Sequence, residues 1–286
     1  MPQPQQAGPD LASAVTARQA EAMEPAAPAE LSDLATACGQ CHRCGLADSR
    51  QQVVVGRGNP SARLLLIGEA PGAEEDVCGQ PFVGRAGRLL EQLLAEAGLD
   101  SERDLSIANV IKCRPPGNRK PSRVEIAACR PWLDHQIAWQ RPALIGLLGA
   151  TALEAILGLK GGITKRRGQW LQLREGLPQP IPTSINPGRQ PMPPNPLERS
   201  TTGPMTQATT QQQEPPQSLD RTGNQTNERF IHLEAIHLQQ ALLMPLLHPS
   251  YLLRNPSDQE GSPKWHTLRD LKELRRRLDE LAAGAG

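Results

Sequence analysis

The stretch LLLIGEAPGAEEDVCGQPFVGRAGRLLEQLL, residues 64–94, decides the fold. Leu64–Ile67 is a short, continuously apolar run, too short to span a membrane and right for a strand buried on both faces. Gly68, Pro71 and Gly72 turn the chain sharply after it, and Gly79, Gly84 and Gly87 bracket a second loop around Pro81 and Phe82. A helix follows, with Leu89, Leu90, Leu93, Leu94 and Ala97 on one face and Gly98 placed to stop it. Strand, glycine-rich loop and helix put a polar concavity at the carboxyl end of a strand, where open α/β sheets bind ligands. The glycines match neither a dinucleotide fingerprint nor a phosphate loop, because there is no G-x-G-x-x-G at the turn and no G-K-[ST].

Outward from this unit the alternation of strand and helix continues. Before it, Leu31, Leu34 and Ala35 predict a short helix that delivers Cys38, Cys41 and Cys44, and Val53–Val55 reads as a strand turned by Gly56, Gly58, Asn59 and Pro60. After it, Leu105–Val110 is a second buried strand and RPPGNRKP (114–121) an irregular basic loop. Ser122 and Glu125 form a capping box for a helix carrying Ile126, Cys129, Leu133 and Ile137. Ala143–Leu148 is a third buried strand, followed by a Thr151–Leu157 helix with Gly158 as its stop. Lys165, Arg166, Arg167 and Gly168 make a second basic loop ahead of a Trp170–Leu173 strand. Leu242–Leu247 is a strand whose Pro245 predicts an edge or irregular position. The last element is a helix with Leu268, Leu271, Leu274, Leu278 and Leu281, with Thr267 and Asp270 in its first turn.

The 286 residues suit one α/β domain with material to spare. With 28 Pro, 25 Gly and 2% aromatics, the apolar residues concentrate in two regions, about Leu64–Leu159 and Leu242–Leu253. Residues 1–29 read as a disordered leader. Residues 30–286 read as a single domain interrupted at about 177–240 by a low-complexity insertion, in which burial is too sparse to offset ordering entropy. A formal net charge of +1 means that any nucleic-acid footprint is a local patch. Without a signal-peptide core or an 18-residue apolar run, a cytoplasmic location and no membrane partner are expected.

The six cysteines fit a disulfide framework poorly, since four fall in tight or matched spacings. Cys41 and Cys44 precede the first buried strand; Cys113 and Cys129 follow the second. If the two pairs converge at adjacent strand ends, zinc and [4Fe–4S] both accept four thiolates. Metal or iron–sulfur ligation is the better account of most of the cysteines, with separate buried or unpaired thiols as the alternative. Cys38 offers a second, overlapping pair with Cys41, and Cys78 in the glycine-rich loop reads as incidental.

Four strings taken in order, GEAPGAEEDVCGQPFVGRAG (68–87), NVIKCRPPGNRKP (109–121), ITKRRGQW (163–170) and HPSYLLRNPS (248–257), closely resemble the family 4 uracil-DNA glycosylases, the iron–sulfur type of bacteria and archaea. The resemblance runs from about Cys41 to the C-terminal helix and omits the insertion. It implies an α/β/α sandwich with a small, mostly parallel central sheet, removal of uracil from DNA, and a [4Fe–4S] cluster on Cys41, Cys44, Cys113 and Cys129, with Cys38 as the spare. It further implies uracil-containing DNA as partner, with downstream repair proteins after it, and a monomer.

Breaking the C1′–N1 bond of deoxyuridine puts negative charge on the uracil ring and oxocarbenium-like charge on the sugar, so the enzyme extrudes the nucleotide, reads its edge and stabilises O2. Within the resemblance His248 is the candidate donor to O2, and a neutral imidazole suffices. Asn109 can pair with uracil O4 and N3–H through one amide, a pattern cytosine reverses; the plainer reading is a turn cap. Phe82 suits stacking on the flipped ring, against a core plug as the plain reading. Gly68 and Gly72 shape the loop, and Gly72 leaves space beside uracil C5. Better-known relatives have an Asp that places the attacking water where this chain has Ala70, so that help is absent or comes from elsewhere, and Glu69 is the candidate for positioning water or the loop. Lys112, Arg114, Arg119, Lys120, Lys165, Arg166 and Arg167 are expected at phosphates. Ser250 is expected to hold a phosphate beside the scissile bond, with Leu252, Leu253 and Arg254 filling the gap left by the base. A broader substrate range (hypoxanthine or mismatched thymine) and a non-catalytic iron–sulfur DNA-binding protein stay open as alternatives.

Overall fold

The computed structural model describes residues 31–174, 177–180 and 238–284. Seven strands form one sheet in the order β1-β3-β2-β4-β7-β5-β6. They are β1 (Arg57–Gly58), β2 (Leu64–Gly68), β3 (Leu105–Asn109), β4 (Leu144–Leu148), β5 (Leu171–Arg174), β6 (Leu177–Pro180) and β7 (Leu242–Leu246). The four central strands, β3-β2-β4-β7, run parallel, and β1, β5 and β6 add antiparallel edges. The mostly parallel sheet read from the sequence is therefore present.

Alternation along each central strand feeds two separate cores, which is why these strands read as unbroken apolar runs. Leu65, Ile67, Ala108, Ile145, Leu147 and Leu243 face one side, under the helices Leu31–Gly39, Arg123–Gln140 and Ala150–Leu157. Leu64, Leu66, Leu105, Ile107, Leu144, Met244 and Leu246 face the other, under Arg85–Glu96, Pro249–Arg254 and Pro263–Ala283. The result is the three-layer α/β/α sandwich.

Local chemistry sets the helix ends. Gly98 leaves the Arg85–Glu96 helix at φ +78, and Ser122 and Glu125 close their capping box through bonds of 3.2 and 2.7 Å. The C-terminal helix starts earlier than Thr267 suggested. Ser262 caps it by accepting the Trp265 N–H at 3.2 Å, with Pro263 in the first turn, and Thr267 and Asp270 are buried further along.

Two strand expectations change. Val54 and Val55 are buried and Val53 half-buried, but the segment joins no ladder; the strand is the next pair, Arg57–Gly58. Pro245 is irregular without being at an edge. Leu242 and Leu246 turn their polar groups to the β4 side, where Leu242 N–H donates to Ala143 and Gly149 N–H to Leu246. Alternation therefore points the missing N–H of Pro245 towards β5, which pairs with β7 only at Leu171↔Leu243, and the Pro245 carbonyl takes the Gly168 N–H at 2.9 Å.

The proposed insertion narrows at both ends, since Leu177–Pro180 pairs with β5 and residues 238–240 are helical. Its interior and the leader at 1–29 lie outside the described residues. No described helix is long and apolar enough to cross a membrane.

Candidate active site

Parallel pairing aligns the carboxyl ends of the central strands, with Gly68 beside Asn109 and Leu148 beside Leu246. Glu69 leaves β2, Asn109 ends β3, Gly149 leaves β4 and His248 lies two residues past β7, so four distant segments meet along one edge. An open cavity of about 390 Å³ lies there, walled in part by Glu69, Asn118, Thr151, His248, Ser250 and Arg254.

His248 caps the Pro249–Arg254 helix. Its Nδ1 accepts the Ser250 amide N–H at 3.1 Å and lies 2.9 Å from the Ser250 hydroxyl. A ring nitrogen that accepts an amide carries no proton, so the neutral ring holds its hydrogen on Nε2. Burial, with help from Arg254, lowers the His248 pKa to about 4, which keeps the ring neutral at physiological pH. Gly149, at φ +93, makes room for it, because a Cβ there would stand 3.0 Å from that of His248.

Asn109 is 1% exposed, and its Oδ1 is the one buried side-chain nitrogen or oxygen among the described residues without a hydrogen-bond partner. Buried acceptors are rarely left so, which makes Asn109 a candidate site residue. Phe82 is buried rather than exposed; its ring centroid lies 5.8 Å from that of His248 at a tilt of 37°. Its backbone sits at φ +57, one of three non-glycine residues in the left-handed region among the described residues; Asn118 on the cavity wall is another. Glu75 holds this loop, its carboxylate accepting the N–H groups of Gly72, Val83 and Gly84 at 3.1, 3.1 and 3.0 Å.

Gly68 separates Asn109 from Phe82. A Cβ there would collide with Asn109 Oδ1 and stand 2.6 Å from Phe82 Cζ. A Gly68→Ala protein is therefore expected to fold, because φ is ordinary, but to lose about 10²-fold in excision rate through displacement of both groups. Single-turnover kinetics beside a melting curve checks both halves.

The other predicted positions divide. Glu69 accepts the Thr151 hydroxyl on its carboxylate and faces the cavity. Ala70 is half-buried and packs against the core on the Leu65 and Ile67 side of the sheet. A Cβ at Gly72 would meet only the Glu75 carboxylate within 4 Å. Ser250 lines the cavity while orienting His248.

Leu252 is a correction. It is 1% exposed and buried in the core, whereas Leu253 is 36% exposed. Adjacent residues on a helix point about 100° apart, so only one of the two can face the sheet. Leu252→Ala is expected to cost about 2–5 kcal/mol of stability. Leu253→Ala is expected to change stability by less than about 0.5 kcal/mol while lowering excision from duplex more than from single-stranded DNA. Urea melts and paired excision assays separate the two.

The basic loops are partly engaged within the protein. Lys112 is fully buried, and burial lowers its pKa to about 8. Arg167 makes a two-pronged pair with Asp270. Arg119 binds Glu125 at 2.6 and 2.8 Å, and Arg114 donates to Asn118 Oδ1 at 2.7 Å. Lys112 and Arg167 thus leave the set of expected phosphate contacts. Asn118, on the cavity wall, is a further candidate site residue, and its sequence signal is a Gly-Asn pair in a proline-rich loop.

Cys38, Cys41, Cys44, Cys113 and Cys129 line one small cavity between the Leu31–Gly39 and Arg123–Gln140 helices, while Cys78 is exposed elsewhere. N–H groups point at three of the sulfurs: Trp132 Nε1 to Cys41 at 3.3 Å, the Lys112 amide to Cys129 at 3.2 Å and Arg50 to Cys113 at 3.7 Å.

The family model of the uracil DNA glycosylase superfamily matches residues 55–272. A type-4 uracil-DNA glycosylase of Thermotoga maritima is 49% identical over 143 residues, covering 49% of this chain and 74% of that protein. One from Sulfurisphaera tokodaii is 46% identical over 134 residues, 45% of this chain and 60% of the relative. A type-5 uracil-DNA glycosylase of Thermus thermophilus is 40% identical over 118 residues, 36% of this chain and 53% of the relative.

Proposed function

The chain belongs to the uracil-DNA glycosylase superfamily, and we propose that it hydrolyses the N-glycosidic bond of uracil in DNA, single-stranded or opposite guanine or adenine, to initiate base excision repair. Asn109 carries this reading. Its unpaired Oδ1 is an acceptor for uracil N3–H, and the same amide can donate to O4. Cytosine presents an acceptor at N3 and a donor at position 4, so it meets the wrong group at both points. Phe82 borders the base beside Asn109, and the Nε2–H of His248 supplies the donor to O2 as the ring becomes an anion.

No proton needs to move from His248. A neutral donor already in place stabilises the developing charge without reorganisation, and the depressed pKa keeps the ring neutral before bond cleavage begins. Water then attacks the sugar. Glu69, braced by Thr151, and Asn118, braced by Arg114, are the polar groups on the cavity wall suited to hold it. Leu253 and Arg254, both exposed, would fill the gap left by the extruded base.

Cys41, Cys44, Cys113 and Cys129 would hold a [4Fe–4S] cluster. The fit rests on five thiols around one cavity and on three N–H···S contacts, since hydrogen bonds to the sulfurs stabilise such a cluster. When bound, the cluster supplies a structural tie between the N-terminal segment and the helix bearing Cys129; base hydrolysis asks for no redox step.

A panel of oligonucleotides tests this function. Uracil in single strands, in U:G and in U:A is expected to be excised, and an intact T:G or hypoxanthine duplex beside them is expected to survive. Excision of hypoxanthine or thymine at the uracil rate would instead establish the broader range.

A further inference from the structure

Lys112 stands where a strand ladder should continue. Extending the register Arg57↔Ile107 by two residues places Val55 opposite Asn109. In a continuing ladder each carbonyl would take the other residue's N–H. Instead the Lys112 ammonium takes both, donating to Asn109 O at 3.0 Å, to Val55 O at 3.2 Å and, with its third hydrogen, to Gln136 Oε1 at 2.8 Å. The group is fully buried and its hydrogen-bonding capacity is filled. Through its backbone the same residue reaches the thiol-lined cavity, its N–H donating to Cys129 Sγ and its carbonyl accepting from Val54.

Asn109 is held from its backbone side, because its Oδ1 has no partner in the protein to fix its direction. The carbonyl of Asn109 faces away from β2, since Val110 next to it donates to Gly68. Beyond the short β1, the Lys112 ammonium is what satisfies that carbonyl. Three oxygens converge on one buried cation from the strand end, the segment after the Cys41–Cys44 pair and the Arg123–Gln140 helix. A buried ammonium bound by three fixed oxygens tolerates little displacement, because any lost bond leaves a charged group short of a partner.

We propose that Lys112 is a positioning residue for base recognition: its ammonium pins the Asn109 carbonyl and thereby aims the Asn109 amide at the uracil edge. This rests on the reading of Asn109 as the group that pairs with uracil. It assigns Lys112 an inward role and removes it from the DNA-contacting surface.

A double-mutant cycle on the full chain, carrying whatever cluster it holds as purified, tests it. Parent, Lys112→Met, Asn109→Ala and the double variant are compared for single-turnover uracil excision, for affinity towards uracil-containing duplex and for visible absorbance. Lys112→Met is expected to lower the excision rate constant by up to about 10²-fold, with DNA affinity and absorbance unchanged. In the Asn109→Ala background the same change is expected to cost nothing further. A Lys112→Met protein as fast as the parent, losses that multiply in the double variant, or weakened DNA binding would overturn the assignment. If Lys112→Met does not fold, Gln136→Met, which removes one of the three acceptors, carries the same cycle with a smaller first step and the same required non-additivity. A parent that leaves uracil in place would refute the proposed function itself, a result distinct from additive losses among active proteins.

Discussion

His248→Ala is expected to lower single-turnover excision of uracil by about 10²–10³-fold while leaving fold and DNA affinity intact. That range is what removal of one preorganised oxyanion donor costs in a water-poor site. His248 is a helix cap, so alanine also removes the acceptor for the Ser250 N–H, and a stability loss of about 1 kcal/mol accompanies the kinetic one. His248→Gln, an uncharged donor, is expected to recover part of the rate. The pH dependence follows from the same geometry. The folded-state pKa is depressed to about 4, below the usual value near 6.5. Stability from burying the neutral ring is therefore fully present above about pH 6.5 and is lost as pH falls towards 4. Excision should be flat from pH 6 to 8 and decline only in acid, as protonation of Nδ1 breaks its bond to Ser250. A rate that instead rises as pH falls through 6.5 would mean that the imidazolium is the active form.

The second large effect is expected at Cys113. Cys113→Ser should give colourless protein of low solubility. Structural metal sites contribute on the order of 10 kcal/mol to folding, comparable to the whole stability of a domain, about 5–15 kcal/mol. Cys113 follows Lys112, and the Cys129 sulfur accepts the Lys112 amide, so disruption of this cavity reaches the strand end at Asn109. Cys78→Ser, at an exposed thiol away from the cavity, is expected to keep both colour and activity. Iron and acid-labile sulfide assays on the three proteins check this. A colourless parent with full activity would remove the cluster from the account.

Much of the scaffold is legible in the sequence because the central strands are buried on both faces. Leu64–Ile67 and Leu144–Leu148 carry no polar interruption, and the helix stops at Gly98 and Gly158 follow from left-handed backbone that glycine alone adopts freely. Side-chain direction was less legible. Leu252 and Leu253 are equally apolar, and only the docking of their short helix decides which one is buried. Lys112 lies in a basic string and reads as a phosphate contact; that its stem turns inward depends on the oxygens of Val55 and Gln136, remote in sequence, together with that of nearby Asn109. Val53–Val55 has the composition of a strand but lost its ladder to that same ammonium. Asn118 enters the site through a loop conformation, with φ +56, that no periodicity announces. The convergence of the cysteines required the sheet order, since three lie before β2 and two after β3.

The most direct test of the central claim is product analysis of a uracil-containing duplex incubated with the parent protein and with Asn109→Ala. The account predicts that the parent releases free uracil and leaves an abasic strand that breaks only on alkaline treatment, and that Asn109→Ala binds the duplex but releases almost none. An intact duplex after incubation with the parent, or uracil released at the parent rate by Asn109→Ala, would contradict it.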